Sequence, residues 1–537
     1  MLIAIDEELL PLSVVNFSLF EPKGLCRQMG VELVLIGLIL VCGFYVAWNI
    51  GANDVANAMG TSVGSGALTL KRAVVLAAIF EFAGAYIVGS NVSKTVRKGI
   101  FDPLEIANLY PAEQAPYILA CGMIAALLAA GTWLLIATWM SWPVSTTHSI
   151  VGAVVGFGCV ALGFNGVLWS QVGLISAGWV VSPLISATVA YVVFGLLLKT
   201  VFYKRDPVAA ARRTAPKLVF ILMAVMTGLT CYKGLKPLWK KWDMDPKDPS
   251  FMLAVAGLAV VLGIVGFLIT KFLLRNFEDK VKSKEASVNP VLSADVSRSL
   301  AKTIKHLQRV RNHSSGDVLD RTESLLKEAE SLQDVALAEI SSNTDSDELR
   351  SVEKIFSILQ IFTACLVAFA HGSNDVANAI GPLSSAYQAV TEHAILKTSN
   401  TPSWALLLGG GGIVIGLGTW GWKVIKTVGE KITELTPSRG FCAEFAAAIT
   451  ILLASVLPVG LPISTTHTLV GAVLGVGLAR GINALNLKTM RDIVLGWAIT
   501  IPAGAGLCVV FYFILKLIFI DSGWVGSIPV PDPNAIG

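Results

Sequence analysis

Residues 142–156 read WPVSTTHSIVGAVVG, and residues 461–475 read LPISTTHTLVGAVLG. Each stretch sets a proline, three consecutive hydroxyl residues and a histidine at the head of an apolar run. Proline is at home in the first turn of a helix or just before it, and Ser or Thr caps the free backbone N–H groups there. The pattern Pro143-x-Ser145-Thr146-Thr147-His148, with its repeat Pro462-x-Ser464-Thr465-Thr466-His467, therefore predicts helices that begin at membrane depth. Such an end offers free N–H donors, a partial positive charge and here three hydroxyls, which together make an anion site. Two copies could face each other near the bilayer midplane and hold one anion between them. For a single copy, hydroxyls packing between membrane helices are an equally good account; the proline-headed repetition favours the anion site.

The surroundings set the class. Of 537 residues, 54% are apolar and only 15% charged, with a mean hydropathy of +0.68, which excludes a soluble globular protein. Apolar runs near 32–50, 73–92, 117–140, 143–163, 172–200, 218–232, 251–275, 355–380, 404–425, 441–457, 463–480 and 493–520 predict an all-α polytopic membrane protein with about 12 transmembrane segments. The 218–232 and 441–457 runs are short enough to be tilted, paired or half-helices. Asp6, Glu7 and Glu8 make the N-terminus acidic, unlike the basic start of a secretory signal. The eight cysteines lie mostly inside apolar spans with no C-x-x-C pair, as small packing residues do. Lys71, Arg72, Lys199, Lys204, Arg205, Lys423, Lys426, Arg480 and Lys488 all fall in loops on one side if both termini lie outside, while five lysines at 233–247 are the exception. The chain divides into an N-terminal extension (1–31), a first membrane half with additional spans (32–275), a polar central loop (276–354), a second membrane half (355–520) and a tail (521–537). Apolar residues at helical spacing in the central loop predict cytoplasmic amphipathic helices connecting the halves.

The halves repeat. GANDVANAMG at 51–60 returns as GSNDVANAIG at 372–381, and the interval from Asp54 to Ser145 is 91 residues against 89 from Asp375 to Ser464. Seven predicted spans separate the two copies, an odd number, so the second half is inverted, with broken or re-entrant helices meeting at the midplane. A re-entrant hairpin at the Ser-Thr-Thr segments would change that count. Asp54 and Asp375 follow apolar spans directly, between glycines that loosen the helix. An ionised side chain in a span costs several kcal/mol unless paired and by default marks an ion path. Asn53, Asn57, Asn374 and Asn378 add amide oxygens, hard ligands of the kind small cations prefer. Glu81 and Glu444 are further intramembrane acids but not repeat equivalents, lying 27 residues after Asp54 and 69 after Asp375. Neither motif region contains Lys or Arg, and His148, His371 and His467 are the only other candidate cations. An anion cradle beside four carboxylates would repel its substrate unless those carboxylates held cations or protons, so the composition implies coupled symport.

At these residues the chain resembles the inorganic phosphate transporter (PiT) family, through the duplicated G-[AS]-N-D-V-A-N-A and P-[VI]-S-T-T-H. The resemblance implies an inverted-repeat, commonly homodimeric carrier of inorganic phosphate coupled to sodium or protons, with no other cofactor and no metal beyond sodium. Carried over, Ser145, Thr146, Thr147, Ser464, Thr465, Thr466, Asn57 and Asn378 would bind phosphate, and Asp54, Asp375, Asn53 and Asn374 would serve cations. Glu81, Glu444 and His371 also fall where that family has functional residues. The family includes carriers of metal-phosphate and relatives that carry sulfate. Two other readings stay open: a carrier of another tetrahedral oxyanion, chiefly sulfate, and a membrane receptor derived from a transporter. An enzyme is disfavoured, since the polar segments hold no nucleotide loop, metal triad or nucleophile–base pair, and nothing points to nucleic acid. The multi-pass pattern predicts residence in the cell membrane.

Overall fold

The computed structural model describes residues 22–89, 100–231, 242, 245, 248–275, 294–343, 347–396, 401–431, 435–456, 463–481 and 487–524. The acidic N-terminus, most of the lysine-rich 233–247 loop and most of the tail lie outside them. The described residues are helical, with one isolated bridge between Phe101 and Val167. The helices are α1 (Pro22–Gly64), α2 (Leu70–Val88), α3 (Leu104–Leu109), α4 (Ala115–Trp139), α5 (Thr146–Leu162), α6 (Trp169–Leu197), α7 (Pro207–Leu229) and α8 (Pro249–Leu273). After them come α9 (Ala294–Arg311), α10 (Asp317–Asn343), α11 (Asp347–Thr391), α12 (Ser403–Thr419), α13 (Trp422–Lys431), α14 (Pro437–Val456), α15 (Thr465–Arg480) and α16 (Leu487–Lys516).

Each of the twelve apolar runs contains helix among its described residues. Seven helices, α1, α4, α6, α8, α11, α14 and α16, are long and apolar enough to cross a membrane, which makes the chain an integral membrane protein. The helices that follow the Ser-Thr-Thr segments fall short: α5 has 17 residues and α15 has 16, roughly 25 Å of rise against a hydrocarbon core of about 30 Å. Each is preceded by a longer partner against which it packs, α4 for α5 and α14 for α15. α4 is apolar on every face and almost wholly buried. α8 is as apolar, yet Leu253 is 75% and Phe272 72% exposed, so its outward face is suited to lipid rather than to a protein core. α9 and α10 pack on one another, with Ile304, Leu326 and Ala329 buried.

The two halves are built alike and exchange parts. α2 of the first half packs on α11 of the second, and α12 of the second packs on α1 of the first; likewise α16 packs on α5 and α6 on α15. α1 and α11 run antiparallel, since Gly43 meets Leu383, Asp54 faces His371 and Ser65 bonds Gln360. Here the structure corrects one expectation. The glycines of the Asp motifs do not loosen the helix: α1 and α11 are continuous through Gly51 and Gly372. A Cβ at Gly51 would collide with the carbonyl oxygen of Ile413 in α12, and one at Gly372 with that of Glu81 in α2. These glycines are needed for close approach of a second backbone, not for a bend.

Candidate anion and cation site

The site forms where the first turns of α5 and α15 meet the middles of α1 and α11. Ser145 and Ser464 are the N-caps of α5 and α15, and each hydroxyl accepts the N–H three residues on, from His148 and from His467, at 3.2 Å in both halves. The first intrahelical donors are Ser149 and Thr468. The N–H groups of Thr146, Thr147, Thr465 and Thr466 therefore stand ahead of the helical ladder, as helix starts require. Each helix start reaches into the other half. The Thr147 hydroxyl donates to the carbonyl of Ile463 (3.4 Å), and the Thr466 hydroxyl to that of Val144 (3.2 Å).

The asparagines complete this exchange. Asn57 of the first half donates to Thr466 (2.8 Å), Thr465 (3.5 Å) and Asp54 (3.2 Å). Asn378 of the second half donates to Thr146, Thr147 and Asp375, each at 3.4 Å. The Thr465 hydroxyl also donates to Asp375 (2.8 Å). Carboxylates, amides and hydroxyls from both halves thus meet in one buried network, no member of which is more than 3% exposed.

His371 sits among three carboxylates. Its Nε2 lies 2.8 Å from Asp375 Oδ2 and 3.8 Å from Asp54 Oδ2, and its Nδ1 lies 3.4 Å from Glu81 Oε1. Asp54, His371 and Asp375 each offer a ligand atom, all within 4.8 Å of one another. Glu81 reaches the cluster because Gly372 lets the backbone of α2 come close, so an acid without a repeat equivalent still joins the repeated motif.

Other candidates stand elsewhere. Asn53 stitches the turn between α4 and α5: its amide donates to Thr138 (2.9 Å) and Trp142 O (3.1 Å), and its oxygen accepts from Val144 N–H (3.3 Å). Asn374 donates to Asp375 (2.9 Å) and Ile463 O (3.4 Å), while its buried oxygen accepts no hydrogen bond. Glu444 heads a second polar cluster, accepting from Thr61 and Ser62 (2.6 Å each), Gln360 (3.1 Å) and Thr363 (2.5 Å). These four partners escaped the sequence reading, although Gln360 and Thr363, one turn apart inside an apolar run, carry the signal of polar residues in a span. His148 and His467 lie against each other behind the hydroxyls, with ring centroids 4.3 Å apart.

The fold defines an integral membrane protein whose two duplicated motifs meet in one buried polar network. The model of the phosphate transporter family matches residues 50–508, and the chain belongs to that family. It is 44% identical to a presumed phosphate permease of Chlamydia pneumoniae, over 91% of this chain and the whole of that protein. It is 40% identical to the chloroplastic inorganic phosphate transporter 2-1 of Arabidopsis thaliana, over 94% of this chain and 77% of that one. A solved structure described as the sodium-dependent phosphate transporter is similar, with a TM-score of 0.69 and 35% identity, covering 90% of this chain and all of that one.

Proposed function

We propose that this protein is a symporter that imports inorganic phosphate across the cell membrane together with sodium. The observation that carries this reading is the pairing of the hydroxyls and free N–H groups of Thr146, Thr147, Thr465 and Thr466 with Asn57, Asn378, Asp54 and Asp375 in one buried network drawn from both halves. The N–H groups and hydroxyls supply donors for a tetrahedral oxyanion at two helix N-termini. Asp54 and Asp375, with the free oxygen of Asn374, supply hard oxygen ligands for a small cation. Phosphate beside Asp54, Asp375 and Glu81 is repelled unless cations bind with it, and that linkage is the coupling. Glu444, ringed by hydroxyls that can turn their lone pairs inward, serves as a further cation station on the same helices. The solved relative's description as sodium-dependent supports sodium over protons.

Antiparallel α1 and α11 and the short α5 and α15 support an inverted repeat whose Ser-Thr-Thr segments are half-crossings rather than full spans. The placement of Lys and Arg in the loops supports both termini outside and the central helices inside. Since the network is buried, substrate enters only when the halves shift relative to one another. The test is radiolabelled phosphate uptake by the purified protein in liposomes: Asp54→Asn or Asp375→Asn should abolish sodium-stimulated uptake, and an Asn variant with the parent's sodium dependence would overturn the assignment.

A further inference from the structure

Directly behind the hydroxyls, four aromatic rings form a row across the junction of the halves. Trp179 of α6 lies 3.8 Å from His148 of α5, His148 lies 4.3 Å from His467 of α15 at 81° between planes, and His467 stacks on Trp497 of α16 at 3.6 Å. His467 Nδ1 faces the carbonyl oxygen of Trp179 at 3.1 Å. A carbonyl only accepts, so Nδ1 carries a hydrogen. The His467 Nε2 has no partner, and neither has either indole N–H. The row is held by ring contacts and by the His467–Trp179 hydrogen bond, with both histidines 4% exposed or less.

The location matters more than the contact itself. His148 and His467 are the third residues of α5 and α15, one position after the last threonine. Fixing the two imidazoles edge to face thus fixes the distance between the two helix N-termini. α6 and α16 hold the outer ends of the row, and each packs on the opposite half's short helix so closely that a Cβ at Gly471 would collide with Pro183 O and one at Gly152 would lie 2.5 Å from Ile501 O.

We propose that His148 and His467, clamped by Trp179 and Trp497, are positioning residues for the anion: their ring contact sets the gap across which Thr146–Thr147 and Thr465–Thr466 grip one substrate. This rests on the reading of those threonines as anion donors. The row acts through the geometry of the two helix starts, so it governs apparent affinity.

A double-mutant cycle tests this in proteoliposomes. His148→Ala, His467→Ala and the double variant are compared for phosphate KM and maximal rate, with thermal unfolding in detergent confirming that each folds. Because contacting residues couple, each single variant should raise KM about fivefold and the double variant no more than either single. His148→Phe, which keeps the ring edge, should recover most of the loss. Multiplying effects in the double variant, or a lowered maximal rate with KM unchanged, would overturn the proposal by showing independent packing roles. Thr146→Val and Thr465→Val run alongside separate the two ideas. If they leave KM unchanged, the anion cradle is wrong; if they raise it while the histidine cycle multiplies, only the ring row is wrong.

Discussion

Thr146 and Thr465 occupy equivalent places in the two halves, and the account gives them equivalent work. Each is a buried hydroxyl beside the free N–H groups of a helix start. Thr146→Val or Thr465→Val keeps the shape and removes one donor to a charged acceptor, an expected loss of roughly 1.5–3 kcal/mol, or about ten- to a hundredfold in phosphate KM at equal expression. Unchanged KM in both would show that they are packing residues. Glu444 makes a contrasting case. Glu444→Gln places an amide N–H among hydroxyl and amide donors that now point at a carboxylate, so we expect a right-shifted sodium dependence with phosphate KM at saturating sodium altered less than threefold, on the order of 0.6 kcal/mol. A normal sodium curve would remove Glu444 from the cation path. Asp54→Asn and Asp375→Asn should be harsher, cutting uptake by about two orders of magnitude, the scale of roughly 3 kcal/mol for a buried charge partner removed.

At the scale of the helices, the glycines of the Asp motifs test whether close approach builds the site. Gly372→Val pushes α2 away from α11 and should lower stability by about 1–3 kcal/mol, as overpacking does, while also displacing Glu81 from His371. Gly37, whose added Cβ would meet nothing within 4 Å, is the control: Gly37→Ala should be neutral or stabilise by up to about 1 kcal/mol. Thermal unfolding in detergent reads both, and equal melting temperatures would contradict the packing account. The same glycines show where a linear reading stops. The caps at Ser145 and Ser464 were legible, because proline and hydroxyl chemistry is local to the helix start. Gly51 and Gly372 read as bends, because the carbonyls that require them belong to α12 and α2, helices from the opposite half. For the same reason Glu81 reads as an intramembrane acid without its neighbour His371, and Glu444 without Thr61, Ser62, Gln360 and Thr363. Asn53 read as a cation ligand, yet the turn it stitches lies 85–91 residues away. Exchange of helices between repeats leaves no periodic trace, whereas repetition itself does.

At the scale of the whole molecule, selectivity follows from what the site lacks. No Lys or Arg lies in either motif, and carboxylates stand among the hydroxyls and amides proposed to bind the anion. Phosphate and arsenate can retain a proton and donate it to Asp54 or Asp375, whereas sulfate has none to give and leaves buried acceptors unpaired. Polar sites discriminate steeply on that difference. Excess arsenate should therefore inhibit phosphate uptake strongly and sulfate weakly; equal inhibition would favour a general oxyanion carrier. The central claim, that buried carboxylates tie phosphate to sodium, is tested most directly in proteoliposomes containing only this protein, with sodium and proton gradients imposed separately. The account predicts that an inward sodium gradient at equal pH drives labelled phosphate above its equilibrium level inside, and that collapsing the gradient releases it. Accumulation driven by a proton gradient without sodium, and none by sodium alone, would contradict it.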